Sequence, residues 1–316
     1  MSSINSMIKK MTKSFRLIIK ENEPLKHHTT YKIGGPAEYL IIPEDRESLI
    51  GCLQELRRNR LPHMILGKGS NVLFSDKGID GFVVSLEKSA NEIIKKGDRL
   101  VYAGAGVLLE DVVTYTENEG IAGFDYLAGI PGTLGGALVM NAGAFVGEIG
   151  ERVRWVEVID QHGNLEIIYH DEIGFGYRLA PGLEGTVILG ALLEGEPGSP
   201  EELAKKRQEY ISRRNAKQPL EFGSCGSVFK RPPGNYAGTL IEKAGCKGLK
   251  IGDAMVSPKH ANFIVNLGNA TANDVYRLIK EVRKRVFQQF GIELELEVKL
   301  IGEFEPLPQL VKEKTS

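Results

Sequence analysis

Residues 129–136 read Gly129-Ile130-Pro131-Gly132-Thr133-Leu134-Gly135-Gly136, and Asn141-Ala142-Gly143-Ala144 follows shortly after. Glycines at this density make a poor core, because each loses the most entropy on folding and supplies no side chain for packing. They suit a backbone that wraps closely around a flat, rigid ligand, of which an isoalloxazine ring is an example. The alternative is a glycine-rich loop at the junction of two domains.

A second glycine loop, Gly67-Lys68-Gly69-Ser70-Asn71, follows a short predicted strand at residues 63–66. Its successive N–H groups can form a nest for pyrophosphate oxygens. A tight turn without any ligand is the alternative. The loop lacks the third glycine of a dinucleotide-binding fingerprint and the Gly-Lys-Ser/Thr of a phosphate-binding P-loop.

Composition excludes several classes of protein. The 316 residues are too many for one ordinary core, and the net charge of -1 gives no general bias toward nucleic acid or membranes. No apolar run is long enough to span a bilayer. The three cysteines form no CxxC pair, so we expect neither disulfides nor a zinc or other metal site, and a reducing cytoplasm is the simplest setting. The basic first 20 residues are interpreted as a short helix or a loose terminus.

Periodicity predicts an α+β fold, because helices and strands alternate irregularly. The helix opening at Thr271 has apolar residues at three- and four-residue steps and ends at Gly291. Residues 294–300 alternate strictly, which predicts a half-buried strand. The other predicted strands are 37–42, 63–66, 82–86, 100–103 and a hairpin of 153–160 with 165–169, and the other predicted helices are 108–119 and 200–215.

Four N-terminal motifs resemble, in order and spacing, the FAD-binding domain shared with vanillyl-alcohol oxidase: Thr29-Thr30-Tyr31-Lys32-Ile33-Gly34-Gly35, residues 67–71, Gly104-Ala105-Gly106 and residues 130–143. The resemblance implies FAD between two α+β lobes, bound without a covalent link because these loops contain no histidine or cysteine. The implied cofactor-binding residues are Tyr31, Gly67, Lys68, Gly69, Ser70, Asn71, Gly104, Gly106, Ile130, Pro131, Gly132, Thr133, Gly135, Gly136, Asn141 and Gly143.

The C-terminal half resembles the UDP-N-acetylenolpyruvoylglucosamine reductase family. The motifs are Gly226-Ser227-Val228-Phe229-Lys230-Arg231-Pro232, Val256-Ser257-Pro258-Lys259-His260-Ala261-Asn262-Phe263, and Leu294-Glu295-Leu296-Glu297-Val298-Lys299. The resemblance covers about residues 25–304. It implies an N-terminal extension (1–24), a two-lobed FAD-binding domain (25–195, with lobes 25–87 and 88–195), a substrate domain (196–304) and a tail (305–316).

In that family NADPH reduces FAD, and hydride then passes to the enolpyruvyl group of UDP-N-acetylglucosamine enolpyruvate. The product is UDP-N-acetylmuramate, used in peptidoglycan synthesis. The resemblance therefore implies a cytoplasmic enzyme, and we expect a monomer. Two alternatives stay open: another FAD-dependent oxidoreductase on the same domain, and a non-catalytic nucleotide-sugar binder.

Three residues match the family's catalytic positions. Ser227 matches its proton donor, Arg178 its carboxylate-holding arginine, and Glu297 its catalytic glutamate. The alternatives are a turn-capping serine, a surface arginine and a solvated glutamate on the polar face of a strand. The implied substrate-binding residues are Tyr177, Lys230, Arg231, His260 and Lys299.

The sequence departs from the family pattern after Arg178, where Ala180 and Pro181 replace the usual serine segment. Only seven residues separate Arg178 from the strand predicted at 186–192. They leave no room for the insertion that folds a tyrosine over the substrate, so the chain resembles the shorter branch of the family.

Overall fold

This computed structural model describes residues 2–310, and these fall into two compact units. The first contains residues 2–21, 39–68 and 80–213, and the second contains 22–38, 69–79 and 214–310. The mixed helices and strands confirm the predicted α+β class. The domain boundaries drawn from the sequence stay a prediction.

The helices are α1 (Ser2–Ser14), α2 (Arg46–Arg58), α3 (Leu109–Asn118), α4 (Leu134–Val139), α5 (His170–Ile173), α6 (Pro200–Lys217), α7 (Ala237–Lys243) and α8 (Ala272–Phe290). The strands are β1 (Leu17–Pro24), β2 (Pro36–Pro43), β3 (His63–Leu66), β4 (Val72–Phe74), β5 (Ile79–Ser85), β6 (Ile93–Lys95), β7 (Leu100–Gly104), β8 (Ile121–Ala122), β9 (Gly143–Ala144), β10 (Gly147–Glu148), β11 (Val153–Ile159), β12 (Leu165–Tyr169), β13 (Val187–Glu194), β14 (Glu196–Pro197), β15 (Lys250–Ile251), β16 (Ala254–Val256), β17 (Ile264–Asn266) and β18 (Lys299–Ile301).

The first unit is built on an antiparallel sheet in the order β12-β11-β13-β7-β6. A second sheet has the order β1-β2-β5-β3, with β3 and β5 parallel. Helix α4 contacts β13 and β7, and apolar side chains from these elements form one core. The sheet and α4 thus fix the loops that connect them.

The N-terminal extension forms the helix α1, which is one of the two structures expected for it. Met11 is buried against the first core, and Phe15 lies against α2, with its ring 2.2 Å from where a Cβ on Gly51 would lie. The apolar face of α1 therefore packs on the protein. Among the described residues, no helix has the length and apolar character needed to cross a membrane.

The second unit packs α7 and α8 with the antiparallel sheet β15-β16-β17. Helix α8 begins at a capping box formed by Thr271 and Asp274, and Gly291 ends it with a φ of 69°. The carboxylate of Asp76 accepts two further N–H groups at the same end, from Ala272 at 2.8 Å and Asn273 at 2.9 Å. These caps satisfy donors that the first helical turn leaves unpaired.

The predicted strand at 294–300 is wrong over most of its length, because only Lys299–Ile301 pairs as a strand, with β4. The burial alternation is still partly present, since Leu294 and Val298 are buried while Glu295 is exposed. The preceding residues bond to irregular backbone instead: the N–H of Lys230 donates to Glu295 at 2.9 Å. An alternating pattern of apolar and polar side chains indicates which of them are buried. It does not show whether a neighbouring strand is present to pair with the segment.

Candidate active site

Two of the predicted cofactor loops are joined by backbone hydrogen bonds within the first unit. The N–H of Gly135 donates to the carbonyl of Ala105 at 2.9 Å, and the N–H of Leu134 donates to Val107 at 2.8 Å. The joined backbone, called the glycine cradle below, consists of residues 104–109 and 130–136. Thr133 caps α4 at its edge by accepting the N–H of Gly136 at 3.3 Å.

Several glycines of the predicted site are required by the protein's own packing. A Cβ on Gly104 would lie 2.1 Å from the carbonyl oxygen of Ala90, and one on Gly67 would lie 2.4 Å from Oγ1 of Thr133. A Cβ on Gly106 or Gly143 would lie as close to a backbone carbonyl oxygen, at 2.3 and 2.5 Å. Close approach of other parts of the protein thus explains glycine at these positions, and their contact with a cofactor stays a prediction.

Three apolar side chains of this unit are exposed. Leu108, within the cradle, pairs with Thr133 across the two loops and is 39% exposed, and Val139 at the end of α4 is 51% exposed. Leu179, on the turn described next, is 48% exposed. Glycine-rich backbone with an exposed apolar side chain such as Leu108 suits a flat ring system.

Arg178 lies on a tight turn whose ends are Gly176 and Leu179. These two residues exchange backbone hydrogen bonds of 3.0 Å in both directions. Arg178 has a φ of 57°, in the left-handed region that residues with a Cβ rarely occupy. Its guanidinium lies 5.0 Å from the ring centroid of Tyr177, which is 47% exposed. The turn therefore presents a cation and an aromatic ring together.

Asn141 joins the cradle region to this turn. Its Nδ2 donates to Oε2 of Glu148 at 2.7 Å and to the carbonyl of Gly176 at 3.0 Å. Its Oδ1 accepts the N–H of Gly150 at 2.9 Å. The side chain is buried, and each group of its amide has a partner within the protein. It therefore holds parts of the chain together, and cofactor binding by Asn141 stays a prediction.

The first glycine loop continues into the second unit. Gly69 has a φ of 63°, and a Cβ there would lie 2.3 Å from the carbonyl oxygen of His28. Its own carbonyl accepts the N–H of Thr30 at 3.2 Å. Lys68 is exposed and Ser70 is half-buried. The loop is thus a tight, glycine-dependent turn, and phosphate binding by it stays a prediction.

The side chain of Tyr31 belongs to the core of the second unit. It is completely buried, and its hydroxyl donates to the carbonyl of Ile264 at 2.9 Å. Burial raises the pKa of this phenol well above its usual value, with the nearby Cys225 adding to the shift. The ring therefore has a structural role in this core, and cofactor binding at Tyr31 stays a prediction.

Ser227 lies in a segment held in place by another buried asparagine. The N–H of Phe229 donates to Oδ1 of Asn262 at 3.0 Å, and Nδ2 of Asn262 donates back to the carbonyl of Phe229 at 2.8 Å. The N–H of Val228 donates to the backbone carbonyl of Asn262 at 2.9 Å. Ser227 itself is half-buried, and its hydroxyl has no hydrogen-bond partner among the described residues. It is therefore held rigidly and available to a ligand.

Glu297 is brought next to this segment. Its N–H donates to the carbonyl of Val228 at 2.8 Å, and its carbonyl accepts Nδ2 of Asn71 at 3.1 Å. Burial raises the pKa of the Cys225 thiol to about 12, and the Glu297 carboxylate adds to that rise. Glu297 is half-buried, and its catalytic role stays a prediction. The structure thus brings the backbone of Glu297 next to the residue that follows Ser227.

His260 is bonded within the second unit, and its pKa is lowered. Its Nδ1 accepts the N–H of Asn262 at 3.3 Å, and its ring packs on Phe263 with centroids 4.8 Å apart. Burial lowers its pKa, and the charges of Lys247 and Lys217 lower it further. The ring is therefore neutral near pH 7 and offers an N–H donor. The two lysines are cations that sequence reasoning missed, because Lys217 only ends α6 and Lys247 stands alone after a glycine turn.

The other predicted substrate-binding cations lie on exposed parts of the second unit. Nζ of Lys230 lies 3.4 Å from the Glu295 carboxylate, and the Arg231 guanidinium lies 4.8 Å from the ring centroid of Tyr236. The side chain of Lys299 is exposed at the start of β18. Exposed ion pairs contribute little to stability, and substrate binding by these residues stays a prediction.

Sequence and structure comparisons with known proteins all indicate the same enzyme family. A sequence model of the FAD-binding domain matches residues 37–168, and one of the UDP-N-acetylenolpyruvoylglucosamine reductase C-terminal domain matches residues 218–301. The chain is similar to the reductase of Caldanaerobacter subterraneus, with 46% identity covering 94% of this chain and 97% of the relative. The reductase of Moorella thermoacetica is 44% identical, covering 91% and 95%. The crystal structure of the Thermus caldophilus reductase is 36% identical, with a TM-score of 0.77, covering 91% and 100%.

Proposed function

Because the chain belongs to the UDP-N-acetylenolpyruvoylglucosamine reductase family, we propose that it reduces UDP-N-acetylglucosamine enolpyruvate to UDP-N-acetylmuramate, using NADPH and bound FAD. The product is a precursor of peptidoglycan. The observation that carries the proposal is the backbone hydrogen bond from Glu297 to Val228, which holds the segment of Glu297 against the residue that follows Ser227, whose hydroxyl has no partner among the described residues.

The glycine cradle would hold the flat ring system of FAD, because its glycines let a ligand approach the backbone closely. The first glycine loop would hold the pyrophosphate through its N–H groups. Bound FAD, once reduced by NADPH, supplies the hydride that adds to the terminal carbon of the enolpyruvyl group. The chain has no covalent tether, because its three cysteines are all buried and the loops contain no histidine.

Arg178 grips the carboxylate of the enolpyruvyl group. A guanidinium is always charged and presents paired N–H donors that match a carboxylate. Hydride addition places negative charge on the carbon beside that carboxylate, and the same cation stabilises this charge as it forms. Tyr177, stacked against Arg178, limits the positions that the guanidinium can take.

Ser227 donates the proton that completes the reduction. Its hydroxyl proton moves to the carbon that carries the new negative charge, and the serine oxygen becomes anionic. Glu297 is our candidate for orienting Ser227 and restoring its proton from solvent. For the substrate diphosphate we propose Lys230, Arg231 and Lys299 as charges, with His260 as an uncharged N–H donor.

We also propose that the enzyme acts in the cytoplasm as a monomer. Three free cysteines suit a reducing compartment. Light scattering after size-exclusion chromatography tests the second statement, and a mass of two chains would contradict it.

Anaerobic spectroscopy tests the function. The purified protein should be yellow, lose its visible absorbance with NADPH, and regain it when the enolpyruvyl sugar nucleotide is added. UDP-N-acetylglucosamine is the control, because it lacks the group that is reduced and should leave the absorbance unchanged. Protein that stays colourless after addition of the enolpyruvyl compound would contradict the proposal.

A further inference from the structure

Every polar group of the Asn141 side chain has a partner within the protein. One N–H of its amide goes to Glu148, the other to the carbonyl of Gly176, and its oxygen accepts from Gly150. The residue is only 2% exposed, and its φ of 40° places it in the left-handed region. Asparagine tolerates that region better than other residues with a Cβ. Both its backbone and its side chain are thus committed to holding other parts of the chain.

The part that Asn141 holds is the turn that carries Arg178. Gly176 begins this turn. Its N–H donates to the carbonyl of Leu179, and its own carbonyl accepts from both the N–H of Leu179 and the side chain of Asn141. The left-handed φ of 57° at Arg178 persists only if the surrounding structure holds it. The other side of Asn141 is fixed by Glu148, whose carbonyl accepts the hydroxyl of Tyr126 at 3.0 Å.

We propose that Asn141 is a positioning residue for the reduction of the enolpyruvyl group. It holds the turn of Arg178 through the Gly176 carbonyl, and its side chain contacts neither the cofactor nor the substrate. The inference rests on the proposed role of Arg178 in holding the substrate carboxylate. Asn141 thereby links the segment that follows the glycine cradle to the cation that receives the substrate. Displacement of a substrate-holding group by about 1 Å costs on the order of a hundredfold in rate.

Asn141→Gly is the sharpest variant, because glycine accepts a φ of 40° without strain and only the amide is lost. Asn141→Asp is the second variant, since it keeps the acceptor for Gly150 but cannot donate to Gly176. Asn164→Gly is the matched control. Nδ2 of Asn164 donates to Asp160 at 3.0 Å and holds a hairpin turn that carries no proposed site residue.

Three measurements are made on each FAD-loaded variant: FAD per chain, the rates of the two half-reactions by rapid mixing, and the Kd of the substrate for the oxidised enzyme by calorimetry. For both Asn141 variants we expect full FAD content and an NADPH step within about twofold of the wild type. The substrate step should slow by about ten- to a hundredfold, and the Kd should rise about tenfold. Asn164→Gly should change neither rate.

The double variant Asn141→Gly with Arg178→Ala decides whether Asn141 acts through Arg178. If it does, the double variant should be no slower than Arg178→Ala alone, because the positioned group is already gone. Independent, multiplying losses would overturn the inference, as would loss of FAD or equal slowing of both half-reactions. If Arg178→Ala itself leaves the substrate step and the Kd unchanged, the proposed role of Arg178 fails and the inference fails with it. If the wild type does not reduce the substrate at all, the proposed function is wrong.

Discussion

Replacing Ser227 by alanine should separate the two half-reactions. The hydroxyl has no partner among the described residues, so its removal leaves no buried group unsatisfied and should change the free energy of unfolding by less than about 0.5 kcal/mol. One lost hydrogen bond to substrate costs about 1 kcal/mol, which is roughly a fivefold rise in Kd. Loss of a positioned general acid costs far more, about a hundred- to ten-thousandfold in rate, or about 2.7–5.4 kcal/mol.

In Ser227→Ala, only the oxidation of the reduced flavin by substrate should be slow, because only that half-reaction needs the proton. Stopped-flow absorbance with NADPH alone should give a rate close to that of the wild type, because no proton from Ser227 is needed there. Mixing the reduced variant with the enolpyruvyl substrate should show the large decrease. Ser75→Ala is the control, since Ser75 also lies in the second unit and its hydroxyl only accepts the N–H of Lys77 at 3.2 Å.

Two results would refute the reasoning. Equal slowing of both half-reactions would mean that Ser227 shapes the cofactor site and does not supply the proton. No slowing of either would mean that the serine only follows the turn at Gly226, whose φ is 77°. In that case Glu297, acting through a water molecule, is the next proton donor to test, by Glu297→Gln.

Three further predictions follow from the structure. Acid precipitation should release all of the yellow chromophore into the supernatant, and colour kept in the pellet would show a covalent link. Gly135→Ala should lower the unfolding temperature and the FAD content, because its Cβ would lie 3.0 Å from that of Ala105, whereas Gly136→Ala, with only an ordinary 3.6 Å contact, should leave the unfolding temperature nearly unchanged. The lowered pKa of His260 means that the unfolded chain binds more protons, so folding stability falls as the pH drops below the ordinary histidine pKa of about 6.5. In urea titrations at several pH values, His260→Gln should show a smaller fall, and an identical fall would argue against a buried neutral ring.

The long amphipathic helix α8 was predictable from sequence, because its period, its cap at Thr271 and its terminating Gly291 all act locally. The segment at 294–300 was harder. Its alternation indicated only part of the burial, at Leu294 and Val298, and its hydrogen-bond partners come from the distant segment around Val228. No local pattern encodes such partners. The strand interpretation therefore failed where tertiary contacts replaced a neighbouring strand.

The candidate site shows the same limit. Sequence can indicate that Gly104 must be small, but not whether a ligand or the carbonyl of Ala90 occupies the space. It suggested a cofactor contact for Tyr31, whose ring is in the core. Local alternation also favoured a solvated Glu297, and only the family resemblance pointed to a catalytic role. Burial and the partners of polar groups depend on the folded chain, so these distinctions required the structure.

The amide of Asn262 does for one residue what a neighbouring strand does for several. It offers a donor and an acceptor to the two backbone groups of Phe229, as an adjacent peptide unit in a ladder would. Amide hydrogen exchange should reflect this: the Phe229 N–H, which is held by a side chain and not by a neighbouring strand, should still exchange as slowly as those of the surrounding core.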